Sequence, residues 1–245
     1  MRFRILGPLR VWNGTAWSDI RAAQQRVVLA VLLIDAGRTV SAQRLIDELW
    51  GERPPRAASS VLRGYVLRLR RLLGGGPRGP LTTRAGGYEL VIEDDDLDAR
   101  VFERLVAAGR RALAEGDLDA AEARLSRALG LWRGAALADV PESPTVALWT
   151  AQQEQVRLTA VEERLGVLLE LGRPAEVVDQ AHRLVAQEPL RERLWAQLML
   201  ALFRGGRRAE ALKAYQRARR VLIEELGLEP GPELQELQRA ILADR

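Results

Sequence analysis

At 245 residues, 47% hydrophobic and 29% charged, the chain is long enough for two domains with separate cores and too apolar to be disordered. Its formal charge of +4 is unevenly spread: residues 1–97 hold 15 arginines against 10 acidic residues, and residues 98–245 hold 22 basic against 23 acidic residues. The absence of cysteine excludes disulfides, thiolate zinc sites and cysteine nucleophiles. A single histidine, His182, excludes multi-histidine metal sites and, with no partner motif beside it, a Ser-His-Asp site. The positive field therefore belongs to the first part, where a polyanion would dock.

Residues 2–6 and 9–12 read as short strands around Gly7-Pro8, with Asn13-Gly14 the next turn and Trp17 to Ile20 a third strand. Arg2, Arg4, Gly7, Pro8 and Arg10 interrupt the first twelve residues, so no secretory signal is expected there. Ala22 to Ala36 reads as a deeply buried helix stopped by Gly37. Its apolar run, Val27 to Ile34, is too short to span a bilayer, and a cytoplasmic, nucleoid-associated protein without a membrane partner is expected. Ser41 caps a second helix carrying Leu45, Ile46, Leu49 and Trp50, which ends at Gly51 and Pro54-Pro55.

The third helix, Ala57 to Leu73, opens the most basic stretch of the chain. Arg56, Arg63, Arg68, Arg70, Arg71, Arg78 and Arg84 lie within it, with no Asp or Glu between Glu52 and Glu89. Leu62, Val66, Leu69 and Leu73 fall at helical spacing on one face, while Ser60, Arg63, Gly64, Leu67, Arg68 and Arg71 point the other way. An apolar back and an acid-free, arginine-bearing front suit the phosphate-lined major groove. After the loop at Gly74-Gly75-Gly76, Leu81 to Arg84 and Tyr88 to Ile92 read as a hairpin around Ala85-Gly86-Gly87. Strands, three helices and a closing hairpin make an α+β winged helix-turn-helix, residues 1–96. The third helix is its recognition element and the hairpin its wing. Arg63, Arg68 and Ser60 are the candidates for base edges, with Gly64 on the same face, since arginine forks onto guanine O6 and N7. Arg70, Arg71 and Arg84 are candidates for phosphates, with Arg26 near the start of the first helix.

Asp94-Asp95-Asp96 marks a composition shift and reads as a solvated linker to a second domain, residues 97–245. From Val101 onward apolar residues recur at three- and four-residue steps, an all-α pattern. Gly116-Asp117, Gly172-Arg173 and Gly206-Arg207 each open the same turn-then-helix unit. Gly172 and Gly206 stand 34 residues apart, the tetratricopeptide period, while Gly116 and Gly172 are separated by 22 more, a surplus that falls around Trp132 to Thr150. Ala121, Ala128, Ala181 and Ala211, with Tyr215, suit close packing between paired helices.

The run Arg44 to Gly51, then Pro54-Pro55, then Tyr65-Val66 with Arg68 to Gly74, and the hairpin Thr82-Thr83-Arg84 through Gly87-Tyr88, resemble the OmpR-type domain of the Streptomyces antibiotic regulatory protein family. The run departs from that pattern at Leu67, where a small polar residue is usual; this bears on base preference rather than fold. Leu131 to Gly134, Leu137 to Val140, Glu188 to Trp195 and Glu225 to Leu234 resemble the bacterial transcriptional activator domain of the same family. The likeness covers residues 2–242 and is that of a small, stand-alone member. It implies an activator that binds direct repeats in double-stranded DNA upstream of secondary-metabolite promoters, as a homodimer at least on DNA, and recruits RNA polymerase holoenzyme.

Catalytic chemistry finds no support. Lys213, the one lysine, sits in Ala-Leu-Lys-Ala-Tyr within a helix rather than in a phosphate loop, and the acidic residues lie at spacings of solvated faces. No cofactor, metal or enzymatic activity is expected. The reading from another class is a helical-repeat scaffold whose winged helix has lost DNA affinity; steep salt dependence of DNA binding separates the two.

Overall fold

The computed structural model describes residues 2–74 and 79–243, so Gly75, Gly76 and Arg78 of the basic stretch lie outside the described residues. The chain divides into two compact units, Met1–Val106 with Arg127–Arg157, and Ala107–Ser126 with Leu158–Arg245.

The first unit begins with β1 (Phe3–Arg4), β2 (Arg10–Trp12) and β3 (Trp17–Ser18), an antiparallel sheet in that order with Phe3 opposite Val11 and Trp12 opposite Trp17. The Asn13-Gly14 turn closes on the Asn13 side chain, whose Oδ1 accepts from the amides of Thr15 at 3.0 Å and Ala16 at 2.9 Å. In α1 (Ala23–Ile34) every residue from Val27 to Leu33 is buried, as an apolar run without a polar stripe requires. Ser41 Oγ accepts from the Arg44 amide at 3.1 Å and caps α2 (Ala42–Trp50). Then comes α3 (Ala58–Leu72), whose Leu62, Val66 and Leu69 are buried, followed by β5 (Leu81–Arg84) and β6 (Gly87–Leu90).

A strand that the sequence pattern did not indicate completes the wing. β4 (Thr39–Ser41) pairs with β6, and the sheet order is β4-β6-β5. Three residues with exposed Thr39 and Ser41 at the ends carry too little alternation to be read as a strand, and Ser41 serves as both strand end and helix cap. Gly87 lies inside β6 rather than in the turn. A Cβ on it would lie 2.1 Å from the Val40 carbonyl oxygen, so only glycine permits this pairing.

Asp94–Asp96 forms a 3-10 turn in which Asp94 and Asp95 are exposed. The Arg2 amide donates to the Asp96 carbonyl at 2.8 Å, and Arg100 and Arg104 pair with Asp94 and Asp95. α4 (Asp98–Ala114) then starts with a fully buried carboxylate. Asp98 accepts from the amides of Ile5 at 2.7 Å and Leu6 at 3.1 Å, with Arg133 at 3.5 Å. Burial raises the Asp98 pKa above its ordinary 3.8 even though the two amides and Arg133 oppose it. The surplus segment between the helical repeats also belongs to this unit. The Arg133 and Leu137 amides donate to the Leu6 and Ile5 carbonyls, each at 2.9 Å, and Asp139 accepts from the Leu9 amide at 2.7 Å. Trp132 meets Phe102 edge to face, with centroids 5.5 Å apart.

The second unit draws on α4, α5 (Leu118–Leu129), α6 (Pro144–Glu170), α7 (Pro174–Gln187), α8 (Glu192–Arg204), α9 (Arg208–Leu226) and α10 (Pro232–Ala243). Its helical hairpins turn at Gly116, Gly172 and Gly206, with φ of 78°, 71° and 73°. The next amide in each case, from Asp117, Arg173 and Arg207, donates to Ala112, Leu168 and Leu202 at 2.9, 2.9 and 2.8 Å. The same left-handed helix stop thus recurs three times. Ala121, Ala181 and Ala211 are fully buried, as close helix pairing demands. At Gly109 a Cβ would stand 2.8 Å from Leu125 Cγ, which shows how near α4 and α5 approach.

Candidate nucleic-acid interface

The basic face is built on α3 from behind. Leu62, Val66, Leu69 and, just past the helix, Leu73 are buried, and each contributes about 1.5–3 kcal/mol toward fixing the helix in place. This ridge leaves Ser60, Arg63, Leu67, Arg68 and Arg71 exposed and Gly64 partly so. Arg63 donates to Ser60 Oγ at 2.9 Å, one helical turn back. Arg63, Arg68 and Arg71 have no ion-pair partner among the described residues, and the first turn of α3 has neither an acidic residue nor a side-chain cap. Uncompensated guanidinium groups on a rigid, acid-free helix face make a surface primed for anions.

Other arginines singled out from the sequence are placed differently. Arg70 turns toward the wing: its Nε donates to the Leu81 carbonyl at 2.9 Å and its Nη2 to Thr83 Oγ1 at 2.7 Å. It straps β5 to α3 and sets where the wing stands beside that helix. Arg84, at the wing tip, remains exposed and pairs with Glu89 across the hairpin. Arg26 stands apart from the α3 face. Its guanidinium donates to the carbonyls of Asp139 at 2.6 Å, Ile20 at 2.8 Å and Arg21 at 3.2 Å, the arrangement of a structural clamp.

Three supporting residues had no sequence signal for their roles, although Glu48 and Asp139 lie in the family-like runs. Asp98, Asp139 and Glu48 act across separations of 92 to 130 residues. Glu48, on α2, accepts from the Thr145 amide at 3.1 Å and from its hydroxyl, capping the first turn of α6. Isolated acidic residues within helical patterns carry nothing that separates a cap at long range from a solvated face.

Among the described residues there is no grouping of histidine and acidic side chains that would hold a metal ion, and no helix long and apolar enough to cross a membrane.

Residues 97–242 match the family described as bacterial transcriptional activator domain, and residues 21–90 match transcriptional regulatory protein, C terminal. The chain is 42% identical to regulatory protein DnrI of Streptomyces peucetius, over 99% of this chain and 92% of the relative. It is 44% identical to regulatory protein AfsR of Streptomyces griseus over 99% of its own length but spans only 24% of that longer protein. Among solved structures, Mycobacterium tuberculosis EmbR in complex with a low affinity phosphopeptide superposes with a TM-score of 0.93 at 34% identity, covering 98% of this chain and 64% of that one. The winged helix, the helical repeats and these likenesses agree, and the chain belongs to the Streptomyces antibiotic regulatory protein family of transcriptional regulators.

Proposed function

We propose that this protein is a pathway-specific activator that binds direct repeats in promoter DNA through α3 and the wing and recruits RNA polymerase holoenzyme. The observation that carries the reading is the exposed α3 face, where Arg63, Arg68 and Arg71 stand free of acidic partners on a helix anchored from behind. In this reading Arg63 and Arg68, with Ser60, reach base edges, while Arg71 and Arg84 hold phosphates. Arg70 acts by placing the wing. Two protomers side by side on repeats about one helical turn apart fit the docking of a recognition helix in successive major grooves. The helical repeats supply the surface for a neighbouring protomer or the polymerase. The protein acts in the cytoplasm, on the nucleoid.

Genome-wide occupancy in the native host, paired with transcript changes on deletion, tests the proposal. Peaks over tandem repeats beside a biosynthetic cluster that falls silent on deletion are expected. Rising transcripts at those peaks identify a repressor instead. An absence of peaks with the protein present favours the scaffold reading.

A further inference from the structure

The centre of the exposed α3 face is not uniformly basic. At about 100° per residue, Ser60, Gly64, Leu67 and Arg71 cluster opposite the buried ridge, and Arg63 and Arg68 flank that line on its two sides. Leu67 is 48% exposed, whereas Leu62 and Leu69 of the same helix are buried. Folding gains little from an exposed leucine here, and strong polar helix formers would serve a solvated position equally well. One turn earlier, a Cβ on Gly64 would find no atom within 4 Å, so packing does not require glycine there. Glycine is nevertheless among the least favourable residues in a helix interior, so position 64 departs from what the free helix favours.

Together they form a small apolar patch between Arg63 and Arg68: bare backbone at Gly64 and an exposed isobutyl group at Leu67. Phosphates have no use for such a surface. A lone leucine is also far below the roughly 800 Å² per partner of a stable protein interface. The major groove offers one apolar group to such a residue, the C5-methyl of thymine. We propose that Leu67 is a specificity residue that packs against one or two thymine methyl groups between the base contacts of Arg63 and Arg68. The inference rests on the reading that α3 lies in the major groove. Cytosine at the same step would lose the methyl contact and leave its exocyclic amine without an acceptor, so it is rejected more strongly than uracil.

The test begins with duplexes enriched from a random library by the wild-type protein. In the selected duplex each thymine is replaced singly by deoxyuridine, which removes the methyl and keeps the pairing. Affinity is then measured for the wild type and for Leu67→Ala, an exposed substitution to a better helix former, with circular dichroism confirming the fold. The wild type is expected to lose about fourfold at one or two positions, the worth of a buried methyl. Leu67→Ala should be insensitive at those positions while keeping its guanine preferences. Enrichment of a sequence whose thymines all tolerate deoxyuridine overturns the role of Leu67 and leaves the major-groove reading standing, as does equal uracil sensitivity in the variant. Failure to enrich any sequence overturns both.

Discussion

Gly64→Ala adds one methyl group and is expected to move two measurements in opposite directions. In the free protein the new Cβ meets no atom within 4 Å, and the backbone is helical rather than left-handed. The substitution removes a glycine from the interior of a 15-residue helix. That stabilises the native state by about 0.5–1 kcal/mol. For a chain of this size the melting temperature should rise by about 1–4 °C. On DNA, in the proposed docking, the same methyl projects from the face that approaches the groove floor. Overpacking of a fitted contact costs about 1–3 kcal/mol, a loss of roughly fivefold to more than a hundredfold in affinity. Thermal unfolding of the free protein and fluorescence anisotropy on a labelled repeat-bearing duplex read the two effects separately. A lower melting temperature would refute the placement of Gly64 in open space. A higher one with unchanged affinity would show that this face does not enter the groove.

Other substitutions separate structural arginines from DNA-contacting ones and test the supports of the site. Arg26→Ala should cost about 1.5–3 kcal/mol in urea unfolding, since three carbonyls lose a charged donor, while the salt dependence of DNA binding stays unchanged. A phosphate role for Arg26 predicts the reverse, a slope shallower by about 0.9 at constant stability. Gly87→Ala forces its Cβ against the Val40 carbonyl and should lower stability by at least about 1–3 kcal/mol; a variant as stable as wild type contradicts the β4–β6 pairing. Asp98 has a folded-state pKa above its ordinary 3.8, so its stabilising contribution is complete below 3.8 and is lost as pH rises through the folded value. Relative to Asp98→Asn, the wild type should therefore gain stability as pH falls toward 3.8, and parallel stability–pH curves for the two would rule this out.

Much of this architecture was legible because local rules and global fold agree. The four apolar positions of the third helix have a single period, so its buried back and exposed front follow from spacing alone. The repeats were legible at Gly116, Gly172 and Gly206 because a left-handed helix stop leaves a glycine behind each time. What escaped has no local signature. Strand β4 is three residues long and polar at two of them. The segment around Trp132 to Thr150 registered as surplus to the repeat and as part of the family likeness, but nothing in it showed that Arg133, Leu137 and Asp139 bond to the backbone of Ile5, Leu6 and Leu9. Among the basic residues, composition could not separate Arg68 and Arg71, which stay free, from Arg26 and Arg70, whose donors go to carbonyls and a hydroxyl of the fold. That distinction depends on what lies within 3 Å, and the partners come from other elements.

The central claim is that the acid-free face of α3 holds DNA. Equilibrium binding of the wild type and of Arg63→Ala/Arg68→Ala to one repeat-bearing promoter duplex across a salt series tests it most directly. The account predicts that the logarithm of wild-type affinity falls linearly with the logarithm of salt, by about 0.9 for each phosphate neutralised. It also predicts that the folded double variant loses about 1–3 kcal/mol for each arginine removed, together with its sequence preference. Wild-type binding that ignores salt, or a double variant that retains full affinity and preference, would contradict it.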